Sequence, residues 1–188
     1  MPPSSSVVAA PAFAPLAGVR VLSLALNLPG PAALMRCRAM GASCLRLVPP
    51  SCDPMAHYKG IAYRTPQEGA EVRTIDLKTE AGLAQLHEAL AQTDVLLSSF
   101  RPSALAKLGL DWARLHARHP ALSQVAIVGA PGARAEEPGH DLTYLAESGL
   151  VTGTTLPPTL YADMGGALLA SEAVLQPVLR MRSAPGAG

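Results

Sequence analysis

Between residues 19 and 129 short apolar runs alternate with helix-forming segments, and no other feature of this 188-residue chain restricts its fold so tightly. "VRVLSLAL" (19–26) is an apolar, β-leaning run that breaks at "NLPGP", where Pro31 can open a helix. "PAALMRCRAMG" then reads as a helix closed by Gly41, and "SCLRLV" (43–48) as a second strand. Strand, helix and strand in that order make a βαβ unit, which requires parallel pairing and a right-handed crossover.

The proline-rich stretch 49–72 has no period and reads as an excursion over the surface. "RTIDL" (73–77) resumes the pattern as a strand, and "TEAGLAQLHEALAQ" (79–92) puts Leu83, Leu86 and Leu90 on one helical face. "DVLLSSF" (94–100) is the next strand. Two short helices follow, the first ended by Gly109 and the second capped by Asp111, before the buried strand "LSQVAIVGA" (122–130). The fold class expected is therefore α/β, a Rossmann-like parallel sheet flanked by helices. Beyond it come a polar loop "PGARAEEPG", a helix from His140, a loop "VTGTTLPP" and a long apolar helix from about Met164.

Length and composition fit one domain, expected over 15–182, between a disordered leader (1–14) and a short tail (183–188). The leader has an apolar tint, but no Lys or Arg precedes it and prolines interrupt it, so it does not read as a signal peptide. A formal charge of +1 and 15% charged residues offer no field suited to nucleic acid or to an acidic membrane surface. No apolar run approaches the ~20 residues of a bilayer span. Three cysteines (37, 44 and 52) without a CxxC pair make neither a disulfide framework nor a zinc site, and suit a reducing cytoplasm. "HARH" (His116 and His119) lacks a third ligand at metal spacing and reads as a solvated helix end; no metal is expected.

His140 and Asp163 stand out because each falls at the first turn of a different helix, where free N–H groups and the positive end of the dipole meet the side chain. Such a position favours neutral imidazole and ionised carboxylate, so both can accept a proton. Two proton acceptors on opposite sides of a carbon are what α-proton transfer needs. The plainer reading stands beside this one. Asp is a common N-cap, Asp163 and Asp141 can each serve as one, and a histidine at a helix start is most often a surface residue. Gly165 and Gly166 permit close approach of a ligand to the backbone, with amides able to hold an oxyanion, or serve helix packing. "NLPGP" lacks both GxGxxG and Walker spacing, which argues against a conventional dinucleotide site.

The order of "PLAGVRVLSLA", "PGPAALMRCRAMGASCLRL", "TIDLKTEAG", "TDVLLSSFRPSALAKLGL", "GHDLTYLAESGL" and "LYADMGGALLA" resembles that of the family III CoA-transferases, from about residue 15 to 182. The resemblance implies the N-terminal part of that family's large domain without its small domain, acyl-CoA as substrate, and a homodimer or a complementing chain. "GHDLTYLAESG" is more similar to the family's racemase branch, in which the histidine and the later aspartate form the proton-transfer pair. These fall on His140 and Asp163, with Asp141 left to orient or cap the helix start. In the transferase branch the same aspartate attacks the acyl-CoA and carries CoA as an aspartyl thioester. Racemisation of a 2-methylacyl-CoA is thus the favoured expectation. CoA transfer through Asp163 is the first alternative, and a truncated, inactive CoA-binding or partner module the second. Where family members carry further basic residues this chain has "VPPS" and "EGAEV", so Arg101 and Lys107 are the residues implied to hold the CoA phosphates.

Overall fold

A computed structural model describes residues 13–55 and 69–183. Most of the proposed leader, the middle of the 49–72 excursion and nearly all of the tail lie outside the described residues.

Strand β1 (Arg20–Ser23) leads through helix α1 (Pro29–Ala39) to β2 (Ser43–Val48). Then come β3 (Glu71–Thr74), α2 (Glu80–Leu90), β4 (Val95–Ser98), α3 (Pro102–Lys107), α4 (Trp112–Arg118) and β5 (Ser123–Ala126). A 3-10 turn (Gly132–Glu136), α5 (Asp141–Glu147) and the long α6 (Tyr161–Ser183) complete the described chain. All five strands pair in parallel in the order β3-β2-β1-β4-β5. The α/β Rossmann-like sheet read from the sequence is the observed fold.

Strand periodicity divides the core into two layers. Val21, Val95, Leu97 and Val125 point to one face, where α1 and α6 supply Ala32, Ala33, Cys37, Ala167, Ala170, Val174 and Val178. Leu22, Leu47 and Leu96 point to the other, against Leu86 and Leu90 of α2, Leu105 of α3 and Leu115 of α4. Small residues let α6 pack closely along α1, and Arg36 Nε donates to Ser171 Oγ across that contact at 2.9 Å. The fold thus holds α6 along α1 by a seam of small apolar side chains around that polar contact, which fixes where its first turn lies.

Two boundaries differ from the sequence reading. β3 occupies 71–74 rather than 73–77, because its bounds follow pairing with β2 (Leu45 opposite Glu71, Val48 opposite Thr74) and not its own apolar pattern. α6 begins three residues before Met164, with the Met164 amide donating to Leu160 O, so Asp163 sits inside the first turn.

His119 is not a solvated helix end. Its Nε2 lies 3.1 Å from Nδ1 of His87 on α2. The ring centroids are 5.4 Å apart and the planes 18° from parallel, so the two rings meet edge to edge along an N–H···N bond. Burial, followed by the charge of Arg118, holds both imidazoles below their ordinary pKa, and His119 adds to the effect on His87. The folded chain therefore binds protons less readily than the unfolded chain, and stability falls as pH drops through and below about 6.5. A His87→Gln/His119→Gln variant should lose less melting temperature than the parent between pH 7 and 5. Parallel melting curves for the two proteins over that range would show that the pair contributes nothing.

Candidate active-site cleft

The strand order reverses between β1 and β4, and in open α/β sheets the crevice at the carboxyl ends of such strands is where ligands bind. Three serines shape this end of the sheet. Ser23 Oγ accepts the Ala25 amide, Ser98 Oγ accepts the Phe100 amide, and Ser99 Oγ accepts the Leu26 amide at 3.0 Å, tying the loop after β1 to the loop after β4. Asn27 completes the turn at a φ of 61°, a left-handed conformation that asparagine tolerates better than most residues. Its amide donates to Asp53 Oδ1, and Asp53 is ion-paired with Arg46; both side chains are buried.

Above this floor lies a cleft of about 540 Å³ whose lining includes Asn27, Ser99, Arg101, His140, Tyr144, Asp163, Gly165 and Gly166. The structure thus brings His140 and Asp163 together from separate helix starts. His140 is the N-cap of α5, in extended conformation, and its amide donates to Thr143 Oγ1 at 3.4 Å. Asp141 does not act as that helix's cap. It is buried, and its Oδ1 accepts the backbone amide of Asp163 at 3.0 Å. A residue expected to serve its own helix instead anchors the first turn of the next one.

That anchor changes the electrostatics of Asp163. A helix start should favour its ionised form, yet its carboxyl is raised above the usual aspartate range. Burial is the main cause and the nearby Asp141 charge adds to it, with His140 acting in the opposite sense. Gly165 and Gly166 lie past the first turn of α6, where amides are committed to the helical ladder. A Cβ at either would meet nothing within 4 Å, so their contribution is an open surface beside Asp163.

Arg101 lines the cleft as N-cap of α3, whereas Lys107, at the far end of that helix, is not part of the lining. Between them stands a group that the sequence reading missed. Glu136 accepts the Ser103 amide at 2.7 Å and the Ser103 hydroxyl at 2.6 Å, which pins the 131–139 loop to the start of α3. Those bonds, with the charges of Arg101 and Lys107, hold its carboxyl below the usual glutamate range. Tyr144 was also missed, although it follows His140 by one helical turn and so was predictable as its neighbour.

Among the described residues no group of three His, Cys, Asp or Glu side chains is arranged to hold a metal ion. No helix among them is long and apolar enough to cross a membrane. Cys37, Cys44 and Cys52 are all free. Burial pushes the Cys37 thiol up to about 12 and the Cys44 thiol to about 11, so neither is a thiolate nucleophile at neutral pH.

Known proteins resemble the chain over most of its length. The chain is 31% identical over 172 residues to cinnamoyl-CoA:phenyllactate CoA-transferase of Clostridium sporogenes, covering 79% of this chain and 40% of that protein. It is 32% identical over 190 residues to succinyl-CoA–D-citramalate CoA-transferase of Chloroflexus aurantiacus, covering 92% and 47%. A crystal structure of a CaiB/BaiF family protein from Brucella suis superposes with a TM-score of 0.81 at 26% identity, covering 91% of this chain and 50% of that one. The chain thus spans about half the length of these relatives, or less. Because the sequence model of CoA-transferase family III matches residues 16–188, more than half of the chain, this protein belongs to CoA-transferase family III.

Proposed function

We propose that this chain handles acyl-CoA in the cleft at the β1/β4 switch point, and that its chemistry is CoA transfer between carboxylic acids with Asp163 as nucleophile. The observation that carries the reading is the half-buried Asp163 carboxyl at the lip of that cleft, its backbone gripped by Asp141. A carboxylate whose basicity is raised by burial is a stronger nucleophile once ionised. Its oxygen attacks the thioester carbonyl carbon and the C–S bond breaks, giving an acyl-aspartyl anhydride and CoA thiolate. The thiolate then attacks the aspartyl carbonyl, releasing the first acid and leaving an aspartyl-CoA thioester. The acceptor acid reverses both steps and restores the carboxylate. The open surface at Gly165 and Gly166 gives the thioester room beside Asp163, and Arg101 in the cleft lining supplies the cation for the CoA phosphates.

Racemisation is the second reading, and His140 on the same cleft favours it. One group would remove the α-proton of a 2-methylacyl-CoA and the other would return a proton to the opposite face. The relatives' names favour transfer over this expectation. The third reading is a CoA-binding or partner module without turnover of its own.

Incubation with acetyl-CoA followed by hydroxylamine separates the readings. Transfer predicts a hydroxamate on the Asp163 peptide by mass spectrometry. Deuterium entering the α-carbon of a 2-methylacyl-CoA from heavy water, with Asp163 unmodified, would select racemisation. Binding without either result would leave the module.

A further inference from the structure

We propose that the Tyr144 phenol is a substrate-contacting residue of the cleft, donating a hydrogen bond to the carbonyl oxygen of an acyl group held over Asp163. The inference rests on the acyl-CoA reading above and adds to it a residue outside the expected His–Asp pair. On α5 the residues one turn apart share a face. Asp141 and Leu145 turn inward and are buried, whereas His140 and Tyr144 line the cleft together.

The ring is held in a slot made by two glycines. A Cβ at Gly129 would fall 2.5 Å from the Tyr144 ring edge and 2.5 Å from its hydroxyl, and one at Gly139 2.6 Å from the ring edge. Neither glycine adopts the positive φ that would by itself call for glycine, so the space they free for the ring is the physical reason for both. Gly129 follows β5 and Gly139 precedes the N-cap of α5, so two separate segments converge on one aromatic side chain.

The hydrogen bonds of Tyr144 run through its backbone, from its amide to His140 O and into its carbonyl from Ser148. The phenol has no partner among the described residues. Burial and the negative charges of Asp163 and Glu147 favour the protonated phenol, so the group is a donor. A donor fixed near Asp163 lies where the carbonyl oxygen of a thioester under attack gains charge.

Calorimetry with CoA and with acetyl-CoA tests this, because only the second carries the carbonyl. Tyr144→Phe keeps the ring in its slot, and should weaken acetyl-CoA binding about tenfold, the worth of one net hydrogen bond, while leaving CoA binding unchanged. Gly139→Ala, which displaces the ring, should reproduce the selective loss. Equal affinities of Tyr144→Phe and the parent protein for acetyl-CoA would overturn the proposal, as would an equal loss for both ligands. Failure of the parent protein to bind either ligand would remove the acyl-CoA reading itself, and the Tyr144 inference with it.

Discussion

Replacing Asp53 by alanine should lower the free energy of unfolding by about 3–5 kcal/mol, the usual cost of leaving one partner of a buried ion pair uncompensated. For a chain of this size that corresponds to roughly 10 °C in melting temperature. The Arg46 side chain is only 1% exposed and that of Asp53 is fully buried. The Nε and Nη1 of Arg46 have no partner among the described residues, so the Asp53 carboxylate is its whole compensation there. The same carboxylate accepts the Asn27 and Met55 amides, and the variant would strand those donors as well. An Arg46→Met/Asp53→Leu variant removes both charges and should recover most of the loss, since apolar pairs of similar volume are close to neutral in such sites. Denaturant melts of the three proteins measure this, and a single variant as stable as the parent would refute it. Because Asp53 also holds the turn at Asn27, any ligand binding in the cleft should weaken in step with the stability loss.

The sheet was legible because its signal is local. Strand runs, the glycines that stop helices and the Asp111 cap each act within a few residues, and Asp111 Oδ1 does accept the Arg114 amide. What escaped was set by partners distant in sequence. Arg46 was read as one residue of an apolar strand, and only the pairing of β2 between β1 and β3 makes its position internal. The His87–His119 bond joins residues 32 apart, and the grip of Asp141 on Asp163 joins residues 22 apart. His140 and Asp163 were found because helix starts advertise themselves in sequence. The sense of the Asp163 shift was not, because burial and a second carboxylate outweigh a helix dipole worth roughly 0.3–1 kcal/mol at an exposed site.

The second large effect concerns function, and rests on Asp163 being the group that forms and breaks bonds. Asp163→Ala should reduce CoA transfer by at least ~10³-fold in kcat, since no other carboxylate can take over an attack that depends on placement. Asp141 is buried and committed to the Asp163 amide, and Glu137, which also lines the cleft, is ion-paired with Arg134. His140→Ala should cost transfer far less, because the aspartyl thioester needs no second proton acceptor, whereas racemisation would lose its exchange in either variant. The pH profile gives an independent reading. Nucleophilic attack requires the ionised carboxylate, so the rate should rise with pH through a midpoint above the ordinary aspartate value of about 3.9. Asp141→Asn removes the charge that disfavours ionisation of Asp163 and should move that midpoint down, though burial, the larger cause, remains. A midpoint that stays in place in Asp141→Asn would mean that the two carboxyls do not interact during turnover. If His140→Ala abolished transfer as completely as Asp163→Ala does, Asp163 could not be acting as the sole attacking group, and the shared proton chemistry of the pair would replace it.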